Sequence, residues 1–222
     1  MTYVVANLHG EYERFQRLLQ EIRFGENDIL YVLGDCTDYG EQTAELLTDL
    51  SMRANVYPIA GEHDFRALRM LAGFSKMLET GAAPDAEFAA EMTAWAADGG
   101  KATLDGFRAL DADMREGLLD YLSEFALYEE VHAGGKDYVL VHAGIADFDP
   151  DTALDDYEPE DFFVAAEQGE TFFDDRILVV GHAPTESGRI ERDGNVIRVD
   201  CGVANGGKLG CLCLETGEEF YA

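Results

Sequence analysis

Near its start the chain alternates short apolar, β-branched runs with segments of helical period, and this alternation constrains its fold more than any other feature. Tyr3 to Ala6 reads as a buried strand, followed by a loop from Asn7 to Gly10. Phe15, Leu18, Leu19 and Ile22 then recur at i, i+3, i+4 and i+7, which predicts an amphipathic helix over Glu11 to Ile22. Ile29 to Leu33 is the second expected strand, and a helix follows from about Glu41 to Leu50. Val56 to Ala60 is the third, with Pro58 marking an edge or a strand end. A β-α-β-α-β order of this kind implies parallel strands in a layered α/β fold.

From about 65 to 125 the pattern turns helical. Met114, Leu118, Leu119 and Leu122 share one helix face, and Gly99-Gly100 separates two helices. We expect a helical insert beside the sheet, with Trp95 and its aromatic neighbours as core. Strands return afterwards: Leu127 to Val131 and Tyr138 to Val141 around Gly134-Gly135, then Ile177 to Val180, Val196 to Val199 and Leu209 to Leu214. Phe162-Phe163 and Phe172-Phe173 are expected to pack around the sheet. No repeat or linker interrupts the 222 residues, so one domain over 1–222 is the simplest expectation.

Of the five histidines, four fall in loops just after an expected strand, each close to a glycine. They are His9 in ANLHG, His63 in GEHD, His142 in VHAG and His182 in GHAP. A fifth loop, GDCTDYG over Gly34 to Gly40, carries Asp35 and Asp38 instead. Ligands gather at the carboxyl ends of strands in open α/β sheets, so these groups can converge on one metal or catalytic site. Imidazoles mixed with carboxylates suit zinc, manganese or iron. The remaining histidine, His132, reads as a surface or strand residue, and Thr185 as either shaping a strand exit or forming a plain turn.

Charge and cysteine content exclude several functions. With 45 acidic against 16 basic residues, the formal charge is −29, which disfavours nucleic acid and anionic membranes as partners. No apolar run approaches the roughly 20 residues of a membrane span. No basic segment precedes the first apolar run, which argues against a secretory leader. Cys36, Cys201, Cys211 and Cys213 lack the spacing of a disulfide scaffold or zinc ribbon, and Cys211 and Cys213 face the same side of one strand. A cytoplasmic protein is expected.

The motif order resembles the calcineurin-like metallophosphoesterase family, in its serine/threonine-phosphatase branch. That branch reads GDxHG, GDxxDRG, GNHE or GNHD, VHAG and GHTP, then a segment like IDxGxxxGGxL. This chain has ANLHG, GDCTDYG, GEHD, VHAG and GHAP, then Val199-Asp200-Cys201-Gly202 and Gly206-Gly207-Lys208-Leu209. The resemblance implies central β-sheets flanked by helices and two divalent ions (manganese, iron or zinc). It implies that His9 and Asp35 hold the first ion, with Asn7 where the family has its first aspartate. Asp35 would bridge to a second ion held by His142 and His182, with Glu62 where the family has asparagine. His63 matches the histidine that protonates the leaving oxygen, and Asp38 the aspartate that orients it.

Four departures qualify that picture. Asn7 is an amide where a carboxylate is expected and Glu62 a carboxylate where an amide is expected, so negative charge moves toward the second ion and the first site is expected to be weakened. Tyr39 replaces the arginine of DRG, and no arginine lies between Asp161 and Gly169, where the family's second one is expected. Tyrosine cannot reproduce a bidentate guanidinium fork, and each lost charged hydrogen bond is worth about 1.5–3 kcal/mol. Arg66 either substitutes for it or is a solvated helix residue. The expected activity is a metal-dependent phosphoesterase acting on a phosphorylated small molecule or a phosphoprotein. The alternatives are a degenerate phosphatase with a regulatory role and a hydrolase of dinucleoside polyphosphates or phosphodiesters.

Overall fold

In a computed structural model describing residues 1–222, two five-stranded sheets lie face to face. The first is built from β1 (Thr2–Ala6), β2 (Ile29–Leu33), β3 (Val56–Ile59), β9 (Gly210–Cys213) and β10 (Glu219–Tyr221), in the order β10-β9-β1-β2-β3. The second holds β4 (Tyr128–Ala133), β5 (Lys136–Val141), β6 (Ile177–Val180), β7 (Glu191–Asp193) and β8 (Val196–Arg198), in the order β4-β5-β6-β8-β7. β1, β2 and β3 run parallel, as do β5, β6 and β8. β3 is the edge strand that Pro58 implied.

Alternation along each strand divides the core. Tyr3 and Val5 point to the helices, against Phe15 and Leu18 of α1 (Tyr12–Glu21) and Leu46 and Leu47 of α2 (Thr43–Ser51). Val4 and Ala6 point the other way, into a layer shared with Leu33, Leu140 and Val179 from both sheets. The far face of the second sheet is covered by loop aromatics, Phe162, Phe172 and Phe173, as expected from the sequence.

Helices α3 (Glu62–Thr80), α4 (Ala86–Trp95), α5 (Lys101–Ala109) and α6 (Ala112–Ser123) fill the helical stretch and join the core on the α1–α2 side. Between α4 and α5 the chain kinks at Asp98 and Gly99, where the glycine pair lies. Leu118 and Leu122 are buried, but Met114 at the first turn of α6 is 45% exposed, so the apolar stripe outruns the contact it serves. Cys211 and Cys213 are both buried on the helix side of β9, and all four cysteines are free. β7 and β10 had no sequence signal: each is only three residues long and lies at a sheet edge.

The β4–β5 hairpin pairs Ala133 with Lys136, leaving Gly134 (φ 57°) and Gly135 (φ 75°) as a two-residue turn. Positive φ at both central residues is the turn geometry that matches strand twist. A Cβ on Gly135 would meet nothing within 4 Å, whereas one on Gly134 would lie 2.8 Å from the Glu215 carbonyl oxygen. Gly135→Ala should therefore cost only the left-handed penalty, about 1–2 kcal/mol, and Gly134→Ala distinctly more. Urea denaturation of the two variants measures this, and equal midpoints would contradict the packing described.

Candidate active site

Strand ends from both sheets open on one side. The loop after β1 supplies Asn7 and His9, that after β2 supplies Asp35, Asp38 and Tyr39, and the start of α3 supplies Glu62 and His63. From the second sheet come His142 after β5, His182 after β6 and Asp200 after β8. The turns at these strand ends are unusually tight. Eight non-glycine residues have left-handed backbone, and six are here: Asn7, His9, Asp35, Asp38, Tyr39 and His182. Such conformations cost about 1–3 kcal/mol each and persist where surrounding structure enforces them. Close approach matters too: a Cβ on Gly61 would lie 2.2 Å from Asp35 Oδ1.

Asp35 is at the centre. Its Oδ1 accepts from the His63 backbone N–H (3.1 Å), and its Oδ2 accepts from Asn7 Nδ2 (3.2 Å). The same Oδ2 lies 3.5 Å from His142 Nε2 and 3.7 Å from His9 Nε2. His142 Nε2 lies 3.2 Å from His182 Nδ1, which in turn lies 3.6 Å from Glu62 Oε2. Donor atoms of Asp35, His142 and His182 all fall within 4.8 Å of one another, as do those of Asp35, Glu62 and His63.

Backbone carbonyls set the imidazole tautomers. His9 Nδ1 donates to Thr37 O (2.8 Å) and His142 Nδ1 to Leu33 O (2.9 Å), so each turns a bare Nε2 inward. Burial keeps both rings neutral, pushing His9 down to about 4 and His142 to about 3. Burial also holds the Asp35 carboxyl well above its usual range, and the nearby Asp64 charge adds to this. Inward-facing lone pairs around a buried carboxylate form a donor set that fits a divalent cation. Asp35, His142 and His182, with Glu62 beside them, supply a complete set on one side.

The other side is poorer. Asn7 Oδ1 accepts from the His182 backbone N–H (2.8 Å), which turns the amide nitrogen toward Asp35. Asn7 thus offers no lone pair at the position where His9 and Asp35 converge.

His63 faces the cluster from α3. Its Nδ1 donates to Asp38 Oδ2 (2.7 Å), and its Nε2 lies 4.0 Å from Glu62 Oε1. Burial alone would lower its pKa, but the Asp38 bond and the charges of Asp35, Asp38 and Glu62 outweigh that and raise it to about 9. A cavity of about 200 Å³ opens over the cluster, lined by three carboxylates, Asp35, Glu62 and Asp200, and by no lysine or arginine. Tyr39 lines it with its ring edge-on to His9 (5.0 Å) and His63 (5.2 Å). Arg66 does not. It pairs with Asp98 (2.9 Å), whose other oxygen lies 3.4 Å from the Tyr39 hydroxyl.

The sequence assigned no role in the site to four polar groups. Asp64 is buried and accepts from the Gly61 and Thr37 N–H groups, tying two strand-end loops together. Its place three residues into α3 is a capping position, a local signal that was available. Asp200 accepts from the Gly202 N–H (2.8 Å). Trp95 and Thr103 both donate to Asp38, and nothing in their own neighbourhood announces it. Thr185 bonds the Asp200 carbonyl, and His132 lies exposed on β4 beside Asp137.

Residues 2–208 match the family model for the calcineurin-like phosphoesterase domain. Among curated proteins, the chain is 30% identical over 145 residues to a symmetrical bis(5'-nucleosyl)-tetraphosphatase of Acidovorax sp. (strain JS42), covering 64% of this chain and 43% of that one. It is 31% identical over 157 residues to the protein of the same name from Actinobacillus succinogenes, covering 68% and 47%. The matched part therefore spans less than half of these relatives. Among solved structures, one provisionally assigned as a diadenosine tetraphosphatase is similar with TM-score 0.66 at 17% identity, covering 100% of this chain and 92% of that one. A protein serine/threonine phosphatase from Saccharomyces cerevisiae is similar with TM-score 0.63 at 14% identity, covering 100% and 79%. At these identities the solved structures speak to the fold.

Burial pushes the Asp200 carboxyl up to about 6 from 3.8, against the opposing Gly202 bond. Between those values the folded state holds a proton that the unfolded chain releases, so this group's contribution to stability falls as pH rises through the window. Asp200→Asn keeps the acceptor for Gly202 and removes the charge. In metal-free protein it should add about 2–3 kcal/mol of stability near pH 8, with the gain shrinking as pH is lowered from about 6 toward 4. Denaturant titrations of both proteins across that range test this, and a gain independent of pH would contradict it.

Proposed function

Because the chain belongs to the calcineurin-like phosphoesterase family, we propose that it is a metal-dependent hydrolase of a small phosphorylated compound, with uneven metal sites. The observation that carries this reading is the convergence of Asp35, His142 and His182 within 4.8 Å, with Glu62 adjoining, beneath an open cavity. We assign these four residues to the stronger site and His9 with Asp35 to a weaker one. Manganese, iron or zinc suits the mixture of imidazole and carboxylate. A divalent ion held there supplies Lewis acidity: it polarises a phosphoryl oxygen and lowers the pKa of bound water.

The chain's own groups do the rest. His63 stands at the cavity edge and delivers a proton to the departing oxygen. Asp38, accepting from Nδ1, fixes the ring so that Nε2 faces the cavity. Tyr39 offers a hydroxyl and a ring edge where a guanidinium would grip phosphate, and Arg66 reaches the substrate only by leaving Asp98. The named activity of the curated relatives, symmetrical bis(5'-nucleosyl)-tetraphosphatase, supports a small phosphorylated substrate over a phosphoprotein. No helix is long and apolar enough to cross a membrane, and the four free, buried cysteines support a reducing compartment, for which we propose the cytoplasm.

A second reading, a degenerate phosphatase with a regulatory role and little turnover, draws on the Asn7 amide turned toward Asp35 and on the missing arginines. The two readings separate in one assay of an aryl phosphate with added manganese. We expect the wild type to hydrolyse it and His63→Ala to lose about 10²-fold or more in kcat. No turnover with several divalent metals, together with gain of activity in Asn7→Asp, would favour the second reading instead.

Metal analysis supplies an independent check. Purified protein should carry close to one tightly held divalent ion, and Asn7→Asp should raise that toward two by restoring a carboxylate to the His9 side. Two equally tight ions in the wild type would count against uneven sites.

A further inference from the structure

Asp38 is 0% exposed, and its carboxylate is held by more than His63. Oδ2 accepts from His63 Nδ1 (2.7 Å) and also from the indole Nε1 of Trp95 (2.9 Å). Oδ1 accepts from the Thr103 hydroxyl (2.8 Å), whose oxygen in turn accepts from the Asp38 backbone N–H (2.8 Å). One position later, the Tyr39 N–H donates to the Gly99 carbonyl (3.1 Å). All of these partners except His63 come from α4, α5 and the kink between them.

The kink packs closely against these partners. Trp95, fully buried at the end of α4, lies flat against Gly100, where a Cβ would fall 2.2 Å from the indole. Gly99 carries the kink with φ 91° and packs under the Tyr39 ring. Asp38 and Tyr39 are consecutive non-glycine residues in left-handed backbone, at φ 68° and 63°. Such a pair does not hold its shape unaided. Core packing would account for a buried tryptophan and a buried threonine, but it does not require both to donate to one carboxylate. A buried carboxylate accepting three hydrogen bonds has one orientation left, and its bond to His63 fixes the imidazole in turn.

We infer that Trp95 and Thr103 are positioning residues that lock Asp38 and, through it, aim His63 at the departing oxygen. The inference rests on the proposed phosphoesterase reading for its consequence in catalysis, though not for the geometry. The helical stretch between β3 and β4 is then part of the active-site support rather than only a side layer.

A leaving-group comparison separates positioning from plain structural support. A proton donor matters most when the departing oxygen is a poor leaving group, and little when it is a good one. Manganese-loaded wild type, Trp95→Phe, Thr103→Val and Thr103→Ser would be assayed on phenyl phosphate and on a nitrophenyl phosphate. We expect the ratio of kcat/KM for phenyl over nitrophenyl to fall about tenfold in Trp95→Phe and Thr103→Val, and to recover in Thr103→Ser. General loss of structure would depress both substrates alike and leave the ratio in place.

A second readout needs no metal and no turnover. In metal-free protein, the side-chain Nδ1 proton of His63 is observed by NMR through its exchange with water. Exchange should be about tenfold faster in Thr103→Val than in wild type, with Thr103→Ser close to wild type. Unchanged exchange, or changed exchange with an unchanged leaving-group ratio in a turning-over enzyme, would overturn the inference. If wild type hydrolyses neither substrate, the phosphoesterase reading falls, and the exchange comparison alone decides whether these two residues hold His63. Thr103→Val removes one oxygen with little change of volume, so it serves where Trp95→Phe fails to fold.

Discussion

The carboxylate of Asp35, buried at the end of β2 with no lysine or arginine lining its cavity, is the constraint on which the rest of the site depends. Removing such a charge from water is expensive unless something positive or strongly hydrogen-bonding faces it. The Asn7 amide and the His63 backbone N–H do so here, and the charge of the His63 ring adds to them. Around them the imidazoles of His9 and His142 turn bare nitrogens inward, because Thr37 O and Leu33 O take their Nδ1 protons. Lone pairs aimed at a carboxylate repel it. The arrangement becomes favourable once a cation lies between them, so the geometry and the need for a cation have the same origin.

Holding that arrangement requires rigidity from outside the site. Six site residues adopt left-handed backbone, an aggregate strain that loops alone would relax. The loops are anchored instead on strands whose faces are filled on both sides. Val4 and Ala6 pack between the sheets while Tyr3 and Val5 pack on helices, so β1 has no freedom to shift and deliver Asn7 elsewhere. Asp64 adds a brace by bonding Gly61 and Thr37 at once, and α4–α5 add another through Asp38. Packing energy distributed over the sheets thus supports strain concentrated at their ends.

Much of this was legible in the sequence, and the failures have specific causes. Strand runs, the edge position of β3 and the gathering of four histidines at strand ends all follow from periodicities of two and 3.6 with glycine punctuation. β7 and β10 escaped because three-residue edge strands carry no period to read. Asn7 shows a different limit. Its residue type leaves open which end of the amide faces Asp35, and the choice is made by the His182 N–H, 175 positions away. Trp95 is correctly read as core from its apolar setting, yet its one polar atom meets Asp38 57 positions earlier. A buried tryptophan needs a partner for its N–H, so the question was askable, but only tertiary structure could supply the answer.

Charge sets the terms for whatever enters the cavity. The chain carries a formal charge of −29, and the cavity lining adds Asp35, Glu62 and Asp200 without a compensating lysine or arginine. A phosphate ester approaching it meets a repulsive field that bound cations must reverse locally, and salt will screen the long-range part. With Tyr39 in place of a guanidinium, phosphate recognition loses its bidentate fork and keeps a neutral hydroxyl. Arg66, four residues along α3 from Glu62, lies on the same helix face but is occupied by Asp98. Binding energy must therefore come from metal contacts and from the non-phosphate part of the substrate. Exposed Phe65, packed at a tilt against Phe163 beside His142, offers apolar area for that part. Apolar area of this kind complements a planar group, while the acidic lining leaves any phosphate dependent on the cations beside it.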